Sequence, residues 1–142
     1  MPNITKLTVR YAETDKMGVV HHAVYPIWFE MARTDYIKAL GMSYAEMEEN
    51  GIMLPVAAIS CKYRQPARYD DEITVTARVT RLNAAKIEFA YEAILPNGAV
   101  ACEGTSVHAF VDAETFRPMN FKKRCPEFYA IMEKCAKADE EN

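Results

Sequence analysis

Between Glu13 and Arg33 the chain reads ETDKMGVVHHAVYPIWFEMAR. An acidic turn, a glycine at position 18 and two adjacent histidines, His21 and His22, stand directly ahead of a helical pattern. The first N–H groups of a helix have no intrahelical acceptor, and the helix dipole places partial positive charge there. A carboxylate such as Asp15 brought to that end would suit chemistry on a carbonyl or an anion. Tyr11 and Tyr25 flank the run, and either phenol is a candidate to approach a reacting carbonyl. Gly18 either lets backbone and substrate come close or supplies a positive φ for the turn.

These residues need elements to hold them. Ile4 to Tyr11 alternates as a half-buried strand and ends in a turn over Ala12–Gly18. Tyr25, Trp28, Phe29, Ala32, Tyr36, Ala39 and Leu40 fall on one side of a helix that starts near Ala23–Tyr25, with Pro26 in its first turn and Gly41 past its end. Ile27, Met31 and Ile37 add a second apolar stripe, which predicts a helix wrapped by a sheet and meeting a partner subunit. Glu30 and Arg33, three apart, are read as an ion pair bracing that helix. Ser43-Tyr44-Ala45-Glu46 opens a short helix as a capping box.

From Ile52 the period changes to two. Strands are predicted over Val56–Arg64, Glu72–Leu82, Lys86–Leu95 and Ala99–Asp112, with a hairpin at Pro96-Asn97-Gly98. A short strand is expected around Met119–Phe121. A last helix is expected over about 126–137, with the tail 138–142 frayed. One long helix followed by consecutive hairpins reads as an α+β single domain spanning 1–142, with one sheet face open to water or to a second subunit.

Composition narrows the classes. The 142 residues are 50% hydrophobic and 26% charged, with net charge −3, as for a soluble globular domain. No basic run suggests nucleic acid, and no apolar run approaches the ~20 residues that span a bilayer, so membrane insertion is not expected. The start MPNITKLTVRY lacks a secretory pattern, and the four cysteines show no CxxC spacing. Reduced thiols in a cytoplasmic protein are the expectation.

The stretch Tyr11–Tyr25, YAETDKMGVVHHAVY, with WFEMAR following it, resembles the signature of the 4-hydroxybenzoyl-CoA thioesterase family of hot-dog-fold proteins. YRQPARYDDEITV from Tyr63 is similar to its second block, and GTSVHAFVD from Gly104, followed by Arg117-Pro118, to its last. The blocks occur in order and cover nearly the whole chain. The resemblance implies a hot-dog fold in which a curved antiparallel sheet wraps a long central helix. It also implies a homodimer or homotetramer, and hydrolysis of an acyl-CoA thioester to a carboxylic acid and coenzyme A.

In that family pattern Asp15 occupies the position of the catalytic aspartate, as nucleophile or as general base. His22 would assist by its side chain or, at the helix start, by its backbone N–H. His21 would line the pocket or pack. Tyr63, Arg64 and Arg68 would face the thioester or meet coenzyme A phosphates. No cofactor is implied, since coenzyme A arrives with the substrate, although an acyl-carrier protein is a second donor to consider. A zinc site from His21, His22 and His108 is disfavoured, because adjacent histidines diverge and no HExxH or cysteine pair accompanies them. The alternatives in other classes are a non-catalytic acyl-CoA or acyl-carrier-protein binding module and another hot-dog acyl-thioester enzyme.

Overall fold

The helix Tyr25–Ala39 (α1) packs against a five-stranded sheet in a computed structural model that describes residues 3–140. Its buried residues, Tyr25, Trp28, Phe29, Ala32, Arg33, Tyr36 and Ile37, recur at spacings of three and four and form one face. Pro26 lies in the first turn, where a missing N–H costs no intrahelical bond.

The strands follow in chain order as β1 (Asn3–Thr8), β2 (Ile52–Met53), β3 (Val56–Tyr63), β4 (Glu72–Leu82), β5 (Lys86–Ile94), β6 (Val100–Ala109) and β7 (Val111–Asp112). The large sheet has the spatial order β1-β4-β5-β6-β3, with every pair antiparallel. Alternation does what the sequence period requires. Ile73, Val75, Ala77 and Val79 of β4 and Ile87, Phe89, Tyr91 and Ala93 of β5 are buried in one core with the helix face. Ser60, Lys62, Thr76, Arg78, Glu92 and Glu103 line a broad polar depression on the sheet. The edge strand β3 is exposed along most of its length. The other α-helices are the short α2 (Tyr44–Glu49) and α3 (Phe121–Arg124) and the final α4 (Pro126–Glu140). An antiparallel sheet around one long helix is the α+β hot-dog architecture that the resemblance implied.

One contact fixes how closely α1 sits on the sheet. A Cβ at Gly104 of β6 would lie 2.5 Å from Cε2 of Phe29 and 2.5 Å from the Ser60 carbonyl oxygen. Only a glycine leaves room there.

Several boundaries differ from expectation. The first strand stops at Thr8, because Tyr11–Glu13 turns as a 3-10 helix. The long last strand is two strands: after Ala109 the chain breaks at Phe110, whose N–H donates to the Ala85 carbonyl, and β7 pairs with β2 instead. The expected strand at Met119–Phe121 reduces to a single bridge between Val111 and Pro118, and Phe121 starts α3 under an Asn120 cap. The expected fraying of 138–142 is corrected for residues 138–140, which continue α4; residues 141 and 142 lie outside the described residues. Asp139 holds that end in place, being 2% exposed and accepting from the Tyr36 hydroxyl at 2.8 Å and the Val79 N–H at 2.9 Å.

Candidate active site

The turn that carries Asp15 is closed by its own backbone. Asp15 N–H donates to Val19 O at 2.8 Å, and Gly18 N–H to Asp15 O at 2.9 Å. Gly18 has φ +78, and a Cβ there would touch nothing within 4 Å. That positive φ is the turn geometry, one of the two roles the sequence offers this glycine. Asp15 Oδ1 accepts from Met17 N–H at 2.8 Å. That bond fixes the carboxylate and leaves Oδ2 without a partner among the described residues.

A buried glutamate ties this turn to the helix. Glu13 is 7% exposed, takes the Arg10 N–H on Oε1 at 2.8 Å and the Trp28 indole N–H on Oε2 at 2.9 Å. Burial alone would raise the Glu13 carboxyl, but the hydrogen bonds from the Arg10 backbone, Trp28 and the Arg10 side chain outweigh it and hold it below its ordinary value. From the sequence Trp28 is one residue of the helix's apolar side, and Glu13 is no more than part of an acidic turn. A glutamate inside a turn, beside an alternating strand, was the one signal available.

Ahead of α1 a 3-10 turn spans His22–Val24. The His21 side chain caps it, with Nδ1 accepting from Ala23 N–H at 3.0 Å, and His21 stacks on His22 at 4.2 Å between ring centroids. The His22 N–H, first in this turn, has no acceptor among the described residues. The Tyr63 hydroxyl donates to His22 O at 3.0 Å, and its ring stands edge-on to His22 and to Tyr25. Burial pushes the Tyr25 phenol up to about 12 and raises that of Tyr63 as well. Both hydroxyls stay protonated near neutrality and can only donate or accept hydrogen bonds there.

A cleft of about 320 Å³ brings several of these groups together. Asp15, Val20, His22, Tyr25, Tyr63 and Arg64 are among its lining residues. Arg64 is already engaged, donating to Glu103 at 2.6 Å. Beyond Gln65 and Pro66, which border both, a shallow groove runs past Arg68.

Not every expected residue reaches the cleft. Tyr11 is 79% exposed and packs edge-on to Tyr69, away from the lining, because the 3-10 turn at 11–13 points it outward. His21 is a capping residue and does not line the cleft. The expected Glu30–Arg33 pair is absent among the described residues; Arg33 turns inward to Tyr44 and Tyr91. His108 lies in the core, bonded to Ser106 Oγ at 2.7 Å and Leu54 O at 3.2 Å, so the three histidines do not converge.

The chain has clear relatives. A model of the thioesterase-like superfamily matches residues 9–132. YneP of Bacillus subtilis, to which an acyl-CoA thioesterase activity is ascribed, is 39% identical over 132 residues, 93% of this chain and 96% of that protein. The acyl-CoA thioesterase YbgC of Haemophilus influenzae is 32% identical over 81% of this chain and 85% of its own. A crystal structure of a DHNA-CoA thioesterase from Staphylococcus aureus superposes with TM-score 0.93 at 34% identity, covering 99% of this chain and 94% of that one. The chain belongs to the thioesterase-like superfamily.

Proposed function

We propose that this member of the thioesterase-like superfamily hydrolyses an acyl-CoA thioester to a carboxylic acid and free coenzyme A. The observation that carries the reading is a cleft lined both by Asp15, whose Oδ2 has no partner among the described residues, and by His22 of the turn that opens α1. The activity of YbgC and of the DHNA-CoA thioesterase supports the substrate class.

In this reading Asp15 acts as general base. Oδ2 takes a proton from water while the water oxygen bonds to the thioester carbon. The oxyanion rests on the His22 N–H and the positive end of α1. Collapse expels the coenzyme A thiolate, which takes up the proton, and leaves the carboxylic acid. Asp15 is only half-buried, so water has access to it. Tyr63 holds the His22 carbonyl and with it the orientation of the turn.

Arg68, whose guanidinium is not engaged in an ion pair among the described residues, faces the groove that leaves the cleft and suits a coenzyme A phosphate. Arg64 suits it less, being paired with Glu103. The four free thiols fit a reducing, cytoplasmic setting, and no described helix is long and apolar enough to cross a membrane.

The protein acts as a dimer through β3. That strand has β6 on one side only, and Val56, Ile59 and Tyr63 on it are about half exposed, as are Ile27 and Met31 on α1. An unpaired edge with apolar side chains is a surface that pairing would cover. Antiparallel pairing about a twofold axis brings the Val56 end of one β3 beside the Tyr63 end of the other.

A thiol-release assay across acyl-CoAs tests the chemistry, with Asp15→Asn beside wild type. Asparagine keeps an oxygen for the Met17 N–H, so the turn survives and only the charge is lost. Turnover is expected to fall by about 10²–10⁴ in a folded variant. Undiminished turnover would remove Asp15 from the mechanism.

A further inference from the structure

We infer that Tyr25 is a second oxyanion donor, its hydroxyl meeting the thioester oxygen beside the His22 N–H. This rests on the thioesterase reading above. Each N–H or O–H fixed where charge develops stabilises the tetrahedral intermediate, and most of all where water is excluded. The turn that opens α1 supplies one such donor in the His22 N–H. The phenol three residues on supplies the other.

The direction of the side chain brings Tyr25 to the reaction. Residues 22–24 form a 3-10 turn that runs directly into α1 at Tyr25. Residues three apart on such a turn stand over one another, and helical side chains tilt back toward the N-terminus. The Tyr25 phenol is thus carried toward the His22 turn, and it lines the cleft together with Asp15 and His22. Trp28 and Tyr63 fix its ring edge-on, with centroids 5.0 and 5.7 Å away.

The hydroxyl is engaged at its oxygen and free at its proton. Burial, then the neighbouring Cys102 thiol, raises the phenol, and the Ala67 N–H set against its oxygen opposes them. Ala67 is wholly buried, and its carbonyl accepts from Val20 N–H at 2.8 Å, so that donor is held in place. With one lone pair facing Ala67, Tyr25 keeps a proton to give, and no acceptor for it stands among the described residues. The other candidates are committed elsewhere. Tyr63 donates to His22 O at 3.0 Å, and Tyr11 faces outward against Tyr69. The His22 ring is exposed and stacked on His21, where water weakens whatever bond it makes. Tyr25 is 3% exposed. It donates a hydrogen bond and keeps its proton, so the proton still travels from water through Asp15 to the thiolate.

The test compares wild type with Tyr25→Phe, which keeps the ring and loses the hydroxyl, with thermal melts to establish folding. Thiol release from an acyl-CoA that wild type turns over should fall by about 10²–10³ in kcat, with KM little changed. Two coenzyme A analogues separate a donor from a packing residue: a trifluoromethyl ketone, whose hydrate carries the tetrahedral oxygen, and a thioether, which has no carbonyl. The variant should bind the ketone about 10²-fold more weakly and the thioether as wild type does. Equal loss for both analogues, or an unchanged kcat, overturns the inference and leaves the thioesterase reading standing. The acid limb of kcat/KM against pH should stay in place. A limb moved to higher pH would put the Tyr25 proton on Asp15 and overturn the inference as well. Should Tyr25→Phe not fold, the structure of Asp15→Asn with a bound acyl-CoA decides. A carbonyl oxygen within about 3.0 Å of Tyr25 Oη supports the assignment, and a longer separation overturns it. Absence of thiol release by wild type from every thioester overturns the reading and the inference together.

Discussion

The indole N–H of Trp28 donates to the carboxylate of Glu13 at 2.9 Å, and both side chains are buried. Trp28 sits in the first turns of α1, and Glu13 precedes Asp15 by two residues. The bond therefore sets the distance between the carboxylate turn and the positive end of the helix. Glu13→Gln keeps the shape and removes the charge. It should destabilise the fold by about 1–3 kcal/mol and lower kcat by roughly tenfold or more through misplacement of Asp15. KM should change little. Urea titration and steady-state kinetics on the same preparation check both parts.

The source of the water oxygen distinguishes base catalysis from attack by Asp15 itself. Turnover in heavy-oxygen water should place one label in each acid product and none in Asp15. Mass spectrometry of the peptide holding Asp15 after many turnovers reads this directly. Label in that peptide would identify Asp15 as the nucleophile.

His108 gives the fold a pH dependence of known sign. Burial, then the nearby Arg33 charge, lowers its pKa from 6.5 to about 4. The unfolded chain takes up a proton that the folded chain refuses, so stability is intact above pH 6.5 and falls as pH drops toward 4. The loss is on the order of 3 kcal/mol across that window. Urea midpoints against pH should show this slope in wild type and a flatter one in His108→Gln.

Asp139 accepts from Tyr36 and from Val79 N–H inside the core. Asp139→Ala strands both donors and should cost about 2–4 kcal/mol, seen as a lower Tm. Asp139→Asn, which keeps an acceptor oxygen, should cost clearly less.

Placing a charge on the β3 edge should separate subunits. Ile59→Lys is expected to shift sedimentation from dimer to monomer and to reduce thiol release with it. A variant that stays dimeric would move the interface away from β3.

Much of this architecture was legible in the residues. Period-two runs from Val56 to Ile94 and the apolar face of α1 locate the sheet and its helix, because burial on one side imposes a visible rhythm. The turn at Asp15 was equally readable from its aspartate and glycine. What escaped were contacts between residues remote in sequence. The spacing of Glu30 and Arg33 suggests a surface pair, yet Arg33 faces inward to Tyr91, 58 residues away. Tyr11 lies in the family-like block, but a three-residue turn rotates it to the outside. The end of α4 looked polar and free because nothing local reveals that Asp139 is an acceptor for β4 and α1.

That acceptor also has a bearing on synthesis. Tyr36 is made 103 residues before Asp139, and Val79 60 residues before it. A nascent chain can lay α1 on the sheet early, as domains tend to assemble from the N-terminal side. It then carries two core donors with no acceptor until α4 has emerged. The helix and β4 around them should stay loose up to that point, and closure of the domain should come as one late event, timed by residue 139.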